Sequence, residues 1–367
     1  MKGKTKMNKM IIATLIFLFF ITPIKSQNLR SIADSIRMSY NIPEIAYAIV
    51  SSDSILEINC LGVKRANSTI QAEPTDRFHI GSNTKAITGL IAALLVKQNK
   101  ISWDTKFFDL FPQLKSKCNP AYYDITLVDL LSHRAKIRPL TDGEEFPNPI
   151  VGKFKGGIPS QRRQFAEWVL TLEPIQSEEP FSYSNAGYSI AAVMLEKVSG
   201  KTWENLVLDL GNILGLEFGF SWPNISDSTQ PWGHWGSDNV LIPTPPDDYY
   251  RLFWVEPAGD INMKVKDYAR FIQLQLLGLQ GRSDLMRKEE FEFIHYGIPD
   301  HYSIGWSWGV NDKGQHISSH DGSAETFYCR AYIIHELDRA YILFANCGSE
   351  QAQNGVTELL RKMIKKY

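Results

Sequence analysis

At residues 78–85 the chain reads Phe78-His79-Ile80-Gly81-Ser82-Asn83-Thr84-Lys85, and an apolar run follows directly. This order predicts the end of a strand, a turn and then a long helix that carries Ser82 and Lys85 on its first turn. Side chains three positions apart share one helix face, so Lys85 can reach the Ser82 hydroxyl and take its proton. The N–H groups of a helix start also favour a developing oxyanion. The alternative is a helix-capping serine beside a solvated lysine.

Tyr183-Ser184-Asn185 carries side chains suited to the same chemistry and precedes an apolar helix predicted to begin near Ser189. A tyrosine beside a lysine can have its phenol pKa lowered, which makes it a usable acid or base near neutral pH. Asn185 can donate to a substrate carbonyl or to Lys85. The alternative is a turn tyrosine followed by a helix-capping asparagine.

A third motif, His320-Asp321-Gly322-Ser323, follows a polar turn and is predicted to open the next strand. Other His-x-Gly triplets occur in the chain, and this one is selected by its position after the tyrosine motif and at a strand edge. Gly322 permits close backbone approach, and the Ser323 N–H can join the Ser82 N–H in an oxyanion hole.

Strand patterns occur near both chain ends, at residues 45–50, 55–63, 302–310, 326–334 and 340–346. Helical stripes separated by long loops fill the middle. The simplest architecture is an α/β (α+β) fold, in which one antiparallel sheet built from both chain ends is flanked by helices and a mainly helical subdomain is inserted. The predicted division is an α/β subdomain (27–102 and 255–367) and a mainly helical subdomain (103–254) with a long aromatic and proline-rich loop (218–254).

The first residues form a basic segment, an uncharged apolar run from Met10 to Ile24 and then Lys25-Ser26-Gln27. This order is typical of a secretory signal peptide, predicted over residues 1–26, and the apolar run is short for a membrane span. We expect a periplasmic or secreted protein with no stable membrane span after cleavage. The alternative is an uncleaved N-terminal anchor.

The charge balance and the cysteines limit which partners and cofactors are possible. With 39 Lys and Arg against 40 Asp and Glu the chain has no electrostatic footprint for nucleic acid, so a small molecule or a peptidoglycan-type substrate is expected. The cysteines lack metal-ligand spacing, and His316 and His320 lack the glutamate of a zinc-binding helix, so neither a metal nor another cofactor is expected. Cys329 and Cys347 flank a turn almost symmetrically and are either bridged or buried as free thiols.

The order Ser-x-x-Lys, Tyr-x-Asn and His-x-Gly resembles the serine β-lactamase and penicillin-binding-protein superfamily. The resemblance is greatest to its class C-like branch, with D-alanyl-D-alanine carboxypeptidases, family VIII esterases and D-aminopeptidases. Further blocks resemble the family at 76–81, 125–133, 257–259 and 302–306. The resemblance implies that Ser82 is acylated, that Tyr183 and Lys85 exchange protons, and that the strand from His320 to Ser323 binds the substrate backbone.

Several positions depart from the family pattern. Arg134–Lys136 stand where Thr-Ser-Gly is common, and Asp260 and Thr326 each replace a frequent glycine. His320 stands in place of a lysine, and its unperturbed pKa of about 6.5 makes it mostly neutral at pH 7. This last change predicts weak β-lactamase activity and better turnover of neutral esters or D-peptides.

Gly305-Trp306-Ser307-Trp308-Gly309 matches the nucleophile elbow of α/β-hydrolases, but a polar turn follows instead of a helix, which disfavours Ser307. The sequence thus predicts a secreted serine hydrolase that forms an acyl-enzyme on Ser82. Its substrate is a β-lactam, a D-amino-acid peptide or an ester, because fold and nucleophile are shared by enzymes that act on all three. The alternative is a non-hydrolytic relative that binds peptidoglycan stems or β-lactams as a sensor.

Overall fold

The structure is a computed structural model and describes residues 28–141, 152–237, 240–248 and 253–367. The expected signal peptide, residues 1–26, lies outside these ranges. Within them, no helix combines the length and the apolar character that crossing a membrane requires.

Strands are concentrated toward the two ends of the described chain. The helices are α1 (Leu29–Ser39), α2 (Thr84–Lys97), α3 (Phe107–Leu110), α4 (Leu127–Leu131), α5 (Ile158–Val169), α6 (Asn185–Ser199), α7 (Trp203–Leu214), α8 (Pro223–Ser226), α9 (Glu256–Gly259), α10 (Val265–Leu279), α11 (Lys288–Tyr296) and α12 (Glu350–Lys366). The strands are β1 (Glu44–Val50), β2 (Ile55–Gly62), β3 (Arg77–His79), β4 (Phe218–Phe220), β5 (His234–Ser237), β6 (Val240–Pro243), β7 (Ile261–Lys264), β8 (Ser307–Val310), β9 (His316–Ser323), β10 (Tyr328–Ile334) and β11 (Arg339–Ala345).

The main sheet has six strands in the order β2-β1-β11-β10-β9-β8, and every neighbouring pair is antiparallel. β1 lies between its hairpin partner β2 and the last strand, β11, with Ile45 opposite Ala345 and Val50 opposite Ala340. The two ends of the described chain therefore share one sheet, and the predicted α+β architecture is confirmed.

Helices cover both faces of this sheet, and the residues of β1 explain why. All seven are buried. Ile45, Tyr47 and Ile49 belong to the apolar core shared with α1 and α12, whereas the alternate residues Ala46 and Ala48 belong to the core shared with α2, α6 and α10. Successive side chains of a strand point to opposite faces, so a strand that is apolar on both sides requires two helical layers.

A second sheet, β3-β7-β4, holds the chain just before Ser82. Its strand β4 comes from the segment 218–254, which we expected to be a long irregular loop. That segment contains β4, α8 and the hairpin of β5 and β6. Elements of three or four residues are too short to produce a readable hydrophobic period, and the prolines at the start of α8 and the end of β6 resemble loop punctuation.

Two element boundaries also differ from the sequence prediction. The strand expected over 302–310 is only β8, because Gly305 has φ +78° in a turn before it. α6 begins at Asn185, earlier than predicted, because Ser184 caps the helix by accepting a hydrogen bond from the Gly187 N–H.

Strand register decides whether Cys329 and Cys347 form a disulfide. Cys329 lies opposite Phe344 in the hairpin of β10 and β11, so Cys347 is not its partner. All four cysteines are free thiols, and Cys329 and Cys347 are fully buried.

Candidate active site

The turn that carries Ser82 is shaped by glycine. Gly81 has φ +50°, and a Cβ there would lie 2.7 Å from the backbone nitrogen of Ser323, so a side chain is excluded both by backbone strain and by lack of space. Ser82 lies in the 3-10 turn Gly81–Asn83, which runs directly into α2. The serine therefore stands just before the α-helix and not on its first α-helical turn.

Lys85 is fully buried next to Ser82. Its Nζ lies 3.0 Å from Ser82 Oγ, 2.8 Å from Asn185 Oδ1 and 2.8 Å from the Ala258 carbonyl oxygen. Burial holds the pKa of Lys85 well below its usual value. The amide and carbonyl oxygens can only accept, so a neutral amine donates both N–H groups to them and turns its lone pair toward the Ser82 hydroxyl. This is the geometry of a general base on its nucleophile.

The two acceptors are themselves held in place. Asn185 Nδ2 donates to the Leu140 carbonyl oxygen at 3.3 Å, which orients Oδ1 toward Lys85. The carbonyl that precedes Ala258 accepts a hydrogen bond of 2.8 Å from Thr88 Oγ1, on the same helix as Lys85. Asn185 thus accepts from Lys85, whereas the sequence suggested that it would donate.

Tyr183 faces this pair, with Lys85 Nζ 4.7 Å from the centroid of its ring. Burial raises the pKa of the Tyr183 phenol, although a hydrogen bond with the Ser82 hydroxyl acts in the opposite direction. The expectation of a lowered phenol pKa is therefore wrong, because burial outweighs the hydrogen bond with Ser82. Tyr183 is a neutral phenol near pH 7, suited to passing a proton and not to holding a negative charge.

The third motif lies on the C-terminal half of β9, not at the start of β10 as predicted. β8 pairs with β9 only as far as Ser319, so the outer edge of β9 has no strand beside it from His320 onward within the described chain. The Ala324 N–H donates to the Phe327 carbonyl oxygen. Since hydrogen-bonded and non-bonded pairs alternate in an antiparallel ladder, the Ser323 N–H then points to the outer edge.

This edge packs directly against the turn of Ser82. A Cβ on Gly322 would overlap the Ile80 carbonyl oxygen, so only glycine lets β9 approach this closely. The Ser82 N–H stands at a helix start, where backbone N–H groups have no intrahelical acceptor. The N–H groups of Ser82 and Ser323 are therefore neighbours, as an oxyanion hole requires.

His320 faces the protein interior. It is 5% exposed, with Nδ1 2.7 Å from the Asp321 carbonyl oxygen and Nε2 3.2 Å from the Tyr302 hydroxyl. A carbonyl only accepts, so Nδ1 carries the proton and Nε2 accepts from Tyr302. Burial lowers the pKa of His320 to about 4. A neutral ring with both nitrogens engaged offers no cation to a substrate carboxylate.

His133 is a site residue to which the motif pattern assigned no role. Its ring centroid lies 4.4 Å from that of Tyr183 and 4.6 Å from that of Tyr302, and its Nδ1 accepts the Ser184 N–H at 3.1 Å. Burial keeps the pKa of His133 well below its usual value. His133 thus supports Tyr183 as a neutral, packed ring. Its one sequence signal was its place at the end of the block 125–133.

A cavity of ≈ 210 Å³ opens at Ser82. Its lining also includes Asn185, the end of α9 and the turn between β9 and β10. A substrate carbonyl placed at the mouth would meet the Ser82 hydroxyl and the two N–H groups from one side. The cavity is therefore the place where acyl chemistry on Ser82 would occur.

The rival residues lie elsewhere. Ser307 is the first residue of β8, and β9 follows it instead of a helix, so it does not occupy a nucleophile elbow. His316 Nδ1 bonds to Glu336 Oε1 at 2.7 Å. The described residues contain no group of three or more potential metal ligands. Arg134 donates to the Tyr302 carbonyl oxygen at 3.2 Å and does not line the cavity.

Comparison with known proteins shows which proteins this chain is similar to. The sequence profile of the Beta-lactamase family matches residues 27–360. A curated relative, the unguisins hydrolase ungD of Aspergillus violaceofuscus (strain CBS 115571), is 23% identical over 94% of this chain and 65% of its own length. The chain spans 63–65% of the length of the curated relatives of this kind that were compared, such as the protein flp of Staphylococcus aureus at 19% identity over 88% of this chain.

Two solved structures share the fold. The octameric penicillin-binding protein homologue from Pyrococcus abyssi superposes with a TM-score of 0.72 at 21% identity, covering 92% of this chain and 77% of that one. The class C beta lactamase from Rhodobacter sphaeroides gives 0.71 at 16% identity, covering 92% and 99%. The resemblance inferred from the three motifs is confirmed at the level of family and fold.

Proposed function

This chain belongs to the beta-lactamase family, and on that premise we propose that it is a serine hydrolase that forms an acyl-enzyme on Ser82. The observation that carries the proposal is the contact between Lys85 Nζ and Ser82 Oγ at 3.0 Å, made by a buried amine whose pKa burial holds well below its usual value. Buried charges are normally paired, and no carboxylate of the described residues lies within ion-pair distance of Lys85. A buried lysine with a lowered pKa beside a serine at a helix start is arranged for nucleophilic catalysis.

In the acylation step that we propose, Lys85 Nζ accepts the Ser82 proton as Oγ attacks the substrate carbonyl carbon. The negative charge that develops on the carbonyl oxygen is stabilised by the N–H groups of Ser82 and Ser323. The C–X bond then breaks, and the proton held by Lys85 reaches the leaving group through the Tyr183 phenol. Each transfer moves one proton, so the site returns to its starting protonation state with Ser82 acylated.

Deacylation repeats these roles with water. A water molecule gives its proton to the unit formed by Tyr183 and Lys85 and attacks the acyl carbonyl, and Ser82 Oγ leaves with that proton. The buried rings of His133 and His320 pack against Tyr183, with ring centroids 4.4 and 6.3 Å from its own. We propose a β-lactam, a D-amino-acid peptide or an ester as substrate, either as a small molecule or as part of peptidoglycan.

The test of this function is a parallel assay of wild type and Ser82→Ala with four probes: a chromogenic cephalosporin, a D-Ala-D-Ala peptide, a D-amino acid amide and a p-nitrophenyl ester. We expect wild type to turn over at least one probe and Ser82→Ala to turn over none. A single stoichiometric acylation without turnover would favour the sensor alternative. Full turnover by Ser82→Ala would refute the proposed nucleophile.

We also propose that the protein acts outside the cytoplasm, in the periplasm or after secretion. The support is the order of basic, apolar and polar residues before Gln27. Expression of the whole chain followed by fractionation and N-terminal sequencing tests this. A mature N-terminus at Gln27 in the soluble exported fraction is expected, and an intact N-terminus in the membrane fraction would favour the uncleaved anchor.

A further inference from the structure

The short helix α9 (Glu256–Gly259) carries the Ala258 carbonyl that accepts a hydrogen bond from Lys85. Its turn is closed by one bond of 3.0 Å, from the Asp260 N–H to the Glu256 carbonyl oxygen. A helix of this length has too few internal hydrogen bonds to hold its own shape. The position of the Ala258 carbonyl therefore depends on contacts between α9 and other elements.

Thr88 makes the first of these contacts. It is fully buried and lies three residues after Lys85, on the same face of α2. Its Oγ1 lies 2.8 Å from the Pro257 carbonyl oxygen and 3.0 Å from Trp203 Nε1. An indole N–H can only donate and a carbonyl can only accept, so Thr88 accepts from Trp203 and donates its single proton to Pro257. These three residues form one chain of hydrogen bonds that joins α7, α2 and α9.

Trp203, at the far end of this chain, is fixed by a buried charged cluster. Its backbone N–H donates to Glu196 Oε1 at 2.9 Å, and the guanidinium carbon of Arg162 lies 5.7 Å from the centroid of its ring. Arg162 is fully buried and forms ion pairs with Glu196 and Glu204. Moving a buried charge away from its partners is costly, so this cluster holds the indole N–H at one position beside Thr88.

The charged cluster also contacts α9 directly. Arg162 Nη2 lies 3.7 Å from Oε2 of Glu256, the first residue of α9. The next residue, Pro257, has its φ fixed by the ring, so the hydrogen bond from Thr88 to its carbonyl fixes the orientation of the following peptide plane. α9 is thus held at its first two residues, immediately before the carbonyl that Lys85 contacts.

The direction of the Lys85 lone pair follows from this arrangement. Two N–H groups of the tetrahedral Nζ point to Asn185 Oδ1 and to the Ala258 carbonyl oxygen, each at 2.8 Å. When the amine is neutral, its lone pair lies on the remaining side, toward Ser82 Oγ. A displaced Ala258 carbonyl would let the amine rotate and would turn the lone pair away from the serine.

We propose that Thr88 and Trp203 are positioning residues for the general base. Their hydrogen-bond chain fixes the Ala258 carbonyl and thereby aims the lone pair of Lys85 at the Ser82 hydroxyl. This inference rests on the proposed function, because it concerns the base of the same site. Neither positioning side chain is among the residues that line the cavity, so both act on the reaction only through α9 and Lys85.

The acid limb of kcat/KM distinguishes this role from simple packing. A carbonyl that accepts from an ammonium stabilises the charged form more than the neutral one, so it raises the pKa of the amine. Loss of the contact with Ala258 should therefore lower the pKa of Lys85 further. Lys85 would then stay a neutral base to lower pH, and the acid limb would move down.

The other titratable side chains that face Lys85 are His133, Tyr183, Tyr188 and His320. Burial raises the pKa of the two phenols and lowers the pKa of the two imidazoles. None of the four therefore changes charge near neutral pH, and a shift of the acid limb reports Lys85.

Thr88→Val tests the inference, because it keeps the shape of the side chain and removes the hydroxyl. With a neutral p-nitrophenyl ester, we expect kcat per active site to fall about 10-fold and KM to change little. The acid limb of kcat/KM should move down by about 0.5 pH unit. Trp203→Phe breaks the chain at its other end and should move the limb in the same direction. Thr88→Ser, which restores the hydroxyl, should return both values toward wild type.

Thr357→Val is the matched control. Thr357 also lies on a helix, accepts from a side-chain N–H (Arg330, 2.9 Å) and donates to a backbone carbonyl (Gln353, 2.9 Å). Its helix, α12, packs on the face of the main sheet opposite to α2. The control variant should lose stability and keep the wild-type kcat and acid limb.

Thermal unfolding of all variants separates lost stability from lost positioning. An acid limb that stays at the wild-type pH in Thr88→Val and Trp203→Phe, or that moves equally in Thr357→Val, would overturn the inference and leave the proposed function standing. If Thr88→Val does not fold, Trp203→Phe alone decides between these outcomes. A wild type that turns over no ester and forms no adduct on Ser82 would instead overturn the proposed function, and the inference with it.

Discussion

Ser82 is set apart from the other serines by what surrounds its hydroxyl: a buried amine, a helix start and a glycine-shaped turn. Replacement by alanine removes the nucleophile and leaves those features in place, so turnover should fall on the order of 10³–10⁶-fold without loss of folding. Mass spectrometry after fluorophosphonate or penicillin treatment should find the adduct on the Ser82 peptide. An adduct on Ser307 would contradict this assignment.

Lys85 and Tyr183 act on the same proton, so their contributions should not be independent. Lys85→Ala and Tyr183→Phe should each cost nearly as much activity as the double variant. The measurement is a double-mutant cycle on kcat with a p-nitrophenyl ester. Losses that simply multiply would mean that the two side chains work separately.

The pH dependence should report Lys85 and not His320. Lys85 is a base only when neutral, so kcat/KM for a neutral ester should fall as pH drops through its lowered pKa. His320, with a pKa of about 4, is only about 3% protonated at pH 5.5. KM for an anionic cephalosporin should therefore show no gain from pH 8.5 to 5.5. If wild type instead bound the cephalosporin more tightly at pH 5.5, and a His320→Asn variant did not, the assignment of His320 as a buried, neutral ring would be contradicted.

At the scale of elements, catalysis depends on how closely β9 approaches the turn before α2. Gly322→Ala places a Cβ against the Ile80 carbonyl oxygen and must push the strand away, which displaces the Ser323 N–H from the oxyanion position. We expect a loss on the order of 10²-fold or more in kcat. Gly309→Ala on β8 is the control, because its Cβ would meet nothing within 4 Å.

Two measurements separate general damage to the sheet from displacement of the Ser323 N–H. Circular dichroism should find both glycine variants folded, and burst kinetics should place the loss of Gly322→Ala in the acylation step. If Gly309→Ala lowers kcat equally, the loss reflects general damage to the sheet and not the oxyanion position.

At the scale of the whole molecule, buried neutral histidines tie stability to pH. Burial lowers the pKa of His295 to about 3, while its ring stacks on Trp306 at 4.6 Å. As pH falls below 6.5, the ordinary value, the unfolded chain binds a proton there and the folded chain does not. His295 therefore adds a positive slope of stability against pH between about 3 and 6.5, of at most about 1.4 kcal/mol per pH unit.

His295→Phe keeps a stacking ring and removes this titration. Denaturant unfolding at several pH values between 4.5 and 7.5 should find a shallower rise of unfolding free energy with pH in the variant than in wild type. The absolute stability can shift, because Gln275 loses the hydrogen bond that it accepts from the ring. Parallel curves for the two proteins would contradict a neutral buried His295.

The sequence alone determined the local features of this protein. Ser82, Lys85, Tyr183 and the glycine of the third motif were identified because each depends on spacing or on a turn within a few residues. Strands at both ends and helices between them predicted the sheet, since hydrophobic period is a local property. The β5–β6 hairpin was not predicted, because its strands are too short to show a hydrophobic period.

Only the tertiary structure decided the electrostatics of the site. Whether Lys85 is a cation or a neutral base, whether Tyr183 has a lowered or a raised pKa, and where the ring of His320 points all depend on burial by segments far apart in the chain. Asp260 and Glu325 likewise share one cavity through strand pairing and not through sequence spacing. Desolvation is set by the whole fold, so no motif encodes it locally.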